Sequence, residues 1–170
     1  MSADPAAQDR GSRETPGLGP ALRRAWVGYQ RRLDTAMREA GFGERRFPDG
    51  RVLRLTRARP GSTIADIGRA LGMSRQGANK IVAELRERGY VTVEPSTTSG
   101  REKAVTLTQS GSAYLDAQRD ANLAIQRELD VAIGPDALVA LHRLLDALGG
   151  SAELSLREYL ESQRSFPRSR

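Results

Sequence analysis

The sequence predicts a mainly α-helical chain with one small β-hairpin. A helix–turn–helix is followed at once by a two-stranded wing, and longer helices flank the pair. Three observations predict this. Apolar residues recur at steps of three and four over most of the chain, the spacing of one helix face. The stretch "TIADIGRALGMSRQGANKIVAELRERG", Thr63 to Gly89, packs two short helical patterns around "GMS". The rhythm then shifts to period two in "YVTVEPS" and "KAVTLT", the alternation of strands.

Each element follows in order. Residues 1–17 are rich in Pro, Gly, Ser and charge and read as a disordered arm. From Leu18 to Ala40, the residues Leu22, Trp26, Tyr29, Leu33, Met37 and Ala40 form one helical stripe. Gly41 and Gly43 stop it, and Pro48-Asp49 opens a second helix running to Arg57 with Val52, Leu53 and Leu55. Thr63 caps a short helix bearing Ile64, Ile67 and Leu71, and Gly72 makes the turn. Ser74 caps the next helix, whose Ala78, Ile81, Val82 and Leu85 face inward, and Gly89 ends it. "TTSGRE" is the loop of the hairpin. A long helix begins at Gln109, with a stripe through Leu115, Gln118, Asn122, Ile125, Leu129 and Ile133. "GPD" breaks it and opens a helix from Ala137 to Leu148 with Leu138, Leu141, Leu144, Leu145 and Leu148. Residues 151–170 form a tail with a short helix carrying Leu154, Leu156, Tyr159 and Leu160.

Composition narrows the function classes. With 170 residues the chain has room for one domain, or one domain with helical extensions. It has no cysteine, which excludes disulfides, thiolate zinc sites and thiol-based sensing. His142 is the single histidine, too few for a histidine metal cluster, and it reads as an interface residue. No Gly-rich phosphate loop, paired nucleophile and base, or metal-ligand spacing occurs, so no enzyme and no cofactor are expected. No apolar run is long enough to span a bilayer, and the N-terminus lacks the apolar core of a signal peptide. The expected location is the cytoplasm, away from membranes. The net charge is +6, and all but Lys80 and Lys103 of the 27 basic residues are arginine. Such arginine usage fits either a GC-rich genome or a polyanion partner, and charge alone does not separate the two.

The helix–turn–helix does. Gly68 is the small residue where two crossing helices approach, with Ile67, Leu71 and Met73 on one side of the seam and Ala78 and Ile81 on the other. Ser74, Arg75, Gln76, Asn79 and Lys80 are then left pointing outward from the front of the second helix. Arginine pairs in bidentate fashion with guanine, and Gln or Asn with adenine. Gly77 lets the backbone come close, and no acidic residue occurs from Ala70 through Ala83. Such a helix enters a major groove while the wing reaches the backbone or minor groove. The expected DNA contacts are Thr63, Ser74, Arg75, Gln76, Asn79 and Lys80, with Arg101 at the wing tip and Lys103 on the returning strand.

At this point the sequence resembles the MarR family of bacterial transcription regulators, from about Leu18 to Leu148. "LRERGYV", Leu85 to Val91, looks like that family's bridge from recognition helix into wing, and "VTLTQSG", Val105 to Gly111, like its strand leading into the next helix. The family's wing usually reads Asp-x-Arg followed by Lys. Arg101 and Lys103 match, whereas Ser99 replaces the Asp that helps position the wing.

The resemblance implies a homodimer in which residues 18–60 and 109–150 form the dimerisation region around a DNA-binding region at 61–108. The stripes agree, since Trp26, Tyr29 and Leu33, with Leu141, Leu144 and Leu148, offer more apolar face than the winged unit covers. A two-fold dimer reads a pseudo-palindromic double-stranded site. The resemblance also implies a repressor relieved by a small aromatic ligand, with Trp26, Tyr29, Met37, Phe47, Gln118 and Asn122 as pocket candidates. The alternative is a winged-helix module for protein–protein contact without DNA binding, against which the acid-free helix front argues.

Overall fold

The computed structural model describes residues 17–43, 45–96 and 103–149. The elements are α1 (Leu18–Glu39), α2 (Asp49–Ala58), α3 (Ile64–Ala70), α4 (Arg75–Glu87), β1 (Val91–Pro95), β2 (Lys103–Leu107), α5 (Gln109–Ile133) and α6 (Pro135–Gly149). The chain is mainly helical with a two-stranded antiparallel wing, as its periodicities predict. The N-terminal arm, the wing tip with Ser99 and Arg101, and the tail expected at 151–170 lie outside the described residues.

Local chemistry accounts for the boundaries. Thr63, Ser74 and Thr108 each cap a helix by accepting a backbone N–H three residues on, which satisfies a donor the helix start would leave unpaired. Three helices end alike. Gly41, Gly72 and Gly89 take positive φ, and the residue after each donates back into the last turn: Phe42 to Met37, Met73 to Gly68, Tyr90 to Leu85. This double bond pattern needs a left-handed residue, which glycine adopts without strain. Helix α6 starts two residues earlier than expected, at Pro135, because a proline in the first turn loses no helical hydrogen bond.

The wing pairs Val91 with Leu107, Val93 with Val105 and Pro95 with Lys103. It is also stitched to the start of α3. Thr63 bridges Ala104, and the Val105 N–H donates to the Ser62 carbonyl at 2.9 Å. The wing therefore moves with the helix–turn–helix.

One core joins the winged unit to the long helices. Leu33 and Met37 of α1, Val52 and Leu53 of α2, Ile67, Val82, Leu85, Val91, Val105, Leu115, Ala121 and Ile125 are buried in it. Tyr114 of α5 sits at its centre, 5.4 Å from Phe42 edge-on and 5.1 Å from Tyr90 between ring centres.

Several residues of the apolar stripes are exposed in the single chain. Trp26 on α1, Ile133 on α5, and Leu144, Leu145 and Leu148 on α6 all face outward, and Leu138 is the buried residue of α6. A period marks one face of a helix, but a chain taken singly has no second layer to cover the outer half of it.

Candidate nucleic-acid interface

The seam of the helix–turn–helix is closed by contact. A Cβ built on Gly68 would lie 3.3 Å from the Met73 carbonyl oxygen and 3.5 Å from the Ala78 Cβ. Ile67, Gly68 and Ala78 are buried, and Leu71, Met73 and Ile81 are half-buried. With these inward, the front of α4 has one face left. Ser74, Arg75, Gln76, Asn79 and Lys80 are all exposed on it.

Their bonding states differ. The Ser74 hydroxyl accepts from the Gly77 N–H at 3.1 Å. Asn79 donates its amide back to the Arg75 carbonyl at 3.0 Å, leaving its side-chain oxygen outward. Among the described residues, Arg75, Gln76 and Lys80 have no side-chain partner. Their five-donor fork, amide and ammonium are thus unsatisfied by protein. The α4 first turn carries no acidic side chain, so the partial positive charge of the helix start is uncancelled. The nearest acid on the helix, Glu84, is paired to Arg46.

Thr63, expected both to cap α3 and to touch DNA, forms the cap. Its hydroxyl donates to the Asp66 carboxylate at 2.7 Å and accepts from the Asp66 N–H at 3.2 Å, a reciprocal cap. Its proton and one of its two lone pairs are engaged in the cap, and its backbone bridges Ala104 of β2. Lys103 is exposed at the first residue of β2. Arg101 lies outside the described residues.

The pocket candidates divide. Tyr29 donates to the Asn122 side-chain oxygen at 2.6 Å and stacks on Trp26, with ring centres 5.9 Å apart. Gln118 accepts from Arg54 at 3.0 Å. Gln118 and Asn122 line an open cleft of about 290 Å³ with Arg54, Arg57 and Arg119. Burial, and next the neighbouring Arg51, lower the Arg54 pKa from its ordinary value. Met37 is fully buried in the core, so it supports α1 and does not line this cleft. Phe47 is half-buried ahead of α2.

Three features had no local signal. A Cβ on Gly50 would lie 2.5 Å from the Gln118 side-chain oxygen, so the missing side chain is what admits Gln118. Arg54, beside Arg57 and Arg119, supplies the cleft cation that donates to Gln118. Arg88 forms a two-pronged pair with Asp49, 39 residues away in sequence. Among the described residues no group of three His, Asp or Glu could hold a metal ion, and no helix is long and apolar enough to cross a membrane.

Comparison with known proteins adds to this geometry. Residues 47–102 match the model of the MarR family. Over 98 residues the chain is 24% identical to the HTH-type transcriptional regulator PetP of Rhodobacter capsulatus, an alignment spanning 58% of this chain and 59% of that protein. A similar solved structure is the transcriptional repressor CouR bound to a 23-mer DNA duplex. It is 24% identical with TM-score 0.61, covering 79% of this chain and 93% of that one. Another is the PcaV transcriptional regulator of Streptomyces coelicolor in complex with its natural ligand. It is 20% identical with TM-score 0.57, covering 90% and 100%. At these identities the structural likeness establishes the fold.

Proposed function

From the match of residues 47–102 to the MarR family model and the shared fold, we propose that this chain is a MarR-type homodimeric repressor that reads a pseudo-palindromic operator with the front of α4. One observation carries the reading. Arg75, Gln76, Asn79 and Lys80 are exposed together on an acid-free helix start. A merely solvated helix face has no need to exclude carboxylates, whereas a phosphate-lined groove repels them. Arg75, Gln76 and Asn79 make the base contacts, and Ser74, Lys80, Lys103 and Arg101 the phosphate contacts. The dimer forms through α1, α5 and α6, whose exposed Trp26, Val27, Leu144, Leu145 and Leu148 are covered by a second copy. CouR, a repressor solved on DNA, supports the assignment.

Relief of repression comes from a small ligand in the cleft beside Trp26, Tyr29, Gln118 and Asn122. PcaV, solved with its natural ligand, supports a ligand-responsive reading. Such a ligand acts by preferring one spacing of the two recognition helices over another.

The test is selection of random duplexes by the purified full-length protein at two salt concentrations. Enrichment of a two-fold-symmetric sequence is expected, with affinity falling steeply as salt rises. Retention of no duplex even at low salt would leave the winged helix as a protein-contact module and sink the repressor.

A further inference from the structure

Glu84 and Arg88 stand one turn apart on the same side of the C-terminal part of α4, the spacing that lets two side chains face one partner. Both are gripped by the segment that leads into α2. Arg88 donates to Asp49 with both arms of its fork, at 2.7 and 2.8 Å. Arg46 pairs with Glu84 at 2.5 Å, and its backbone N–H donates to Asp49 at 3.0 Å. The Asp49 carboxylate is 1% exposed, and three donors satisfy it. The same segment is anchored to α1, where Arg45 donates to Asp34 at 2.7 Å and to Gln30. An unbroken polar path thus runs from α1 through residues 45–49 to the end of α4.

We propose that Asp49 and Arg88, backed by Arg46 and Glu84, are positioning residues for sequence recognition, setting the angle at which α4 presents Arg75, Gln76 and Asn79. The inference rests on the DNA reading above and adds residues that touch no DNA. The apolar grip on α4 is one stripe, Ala78, Val82 and Leu85 with the half-buried Ile81 beside them. Packing along a stripe resists separation but is non-directional, so it holds the roll and tilt of the helix weakly. A two-pronged ion pair is directional. It sits at one end of the helix and Arg75 at the other, about 20 Å away at the rise of an α-helix. A tilt of about 3° at the pair therefore displaces Arg75 by about 1 Å, beyond the roughly 0.5 Å tolerance of a preorganised site. Base contacts require that tolerance, while phosphate contacts by long cationic side chains do not. Loss of the pair is thus expected to weaken specific binding selectively.

The experiment uses the full-length chain and two duplexes of equal length, one enriched from a random library by the wild type and one unselected. The variants are Asp49→Asn, Arg88→Lys and Glu84→Gln. Arg88→Lys keeps the charge and removes the fork. Glu84→Gln weakens the more exposed pair and protects the test should Asp49→Asn fail to fold. Each folded variant, checked by circular dichroism, is expected to lose roughly tenfold in affinity for the enriched duplex, the value of about one base contact. Glu84→Gln loses least. Affinity for the unselected duplex stays within about twofold, since no phosphate contact is removed. Folded variants with the wild-type ratio of specific to non-specific affinity would overturn the positioning role while leaving DNA binding standing. A wild type that enriches no sequence would overturn the DNA reading itself.

Discussion

A Cβ built on Gly111 would lie 2.2 Å from the carbonyl oxygen of Tyr90 and 2.8 Å from the Leu107 methyl. The oxygen cannot yield, because it accepts the Thr108 N–H at 3.1 Å, and Thr108 in turn caps α5. The start of α5 is therefore docked on the junction between α4 and β1. Gly111→Ala is expected to cost about 1–3 kcal/mol, the usual range for overpacking a closed site. Urea denaturation followed by circular dichroism measures it, and a wild-type midpoint would refute the contact.

The reciprocal cap at the start of α3 predicts an acid-side effect. Hydrogen bonds from the Thr63 hydroxyl and backbone, then Arg69, hold the Asp66 carboxyl below its ordinary pKa. A carboxylate depressed in the folded state contributes stability above its unfolded pKa, near 3.9. That contribution is lost as pH falls through the lower folded value. Asp66→Asn should accordingly flatten the fall in stability below about pH 4. Thr63→Ala should cost about 1 kcal/mol at neutral pH. Thermal melts from pH 3 to 7 distinguish these. Parallel pH curves for wild type and Asp66→Asn would count against the cap.

Tyr114 is fully buried, and among the described residues nothing hydrogen bonds its hydroxyl. Burial chiefly, and then the nearby Asp49, raise its pKa well above the usual phenol value. The hydroxyl stays neutral, and its desolvation is uncompensated. Tyr114→Phe keeps the ring contacts with Phe42 and Tyr90 and is expected to leave stability unchanged or to raise it by about 1 kcal/mol. A loss of more than that in urea titration would reveal a partner for the hydroxyl.

Arg75 is exposed, and its guanidinium makes no hydrogen bond or ion pair with another described residue. Arg75→Ala should leave the melting temperature unchanged while reducing discrimination between the enriched and an unselected duplex by about 1–3 kcal/mol. Competition titration at fixed salt gives the ratio. Unchanged discrimination would remove Arg75 from the recognition surface.

How much was legible from residue order depends on the range of the interaction. Helix starts at Thr63, Ser74 and Thr108, and helix stops at Gly41, Gly72 and Gly89, rest on bonds between residues two to five apart, so their signals stand side by side in the chain. The period-two strands and the seam through Gly68 and Ala78 are likewise local. With the seam assigned, the exposed front of α4 follows by elimination.

What the residue order determined, then, is the elements, their sequence and the outward polar face of α4, because each is set by backbone geometry and near neighbours. The tertiary structure alone decided the rest. It drew Gln118 into the space left by Gly50, bridged Thr63 to Ala104 of the wing, and joined Asp49 to Arg88. These outcomes depend on where segments tens of residues apart come to lie. That placement is fixed by the packing of the whole core, which no periodicity of a single segment encodes.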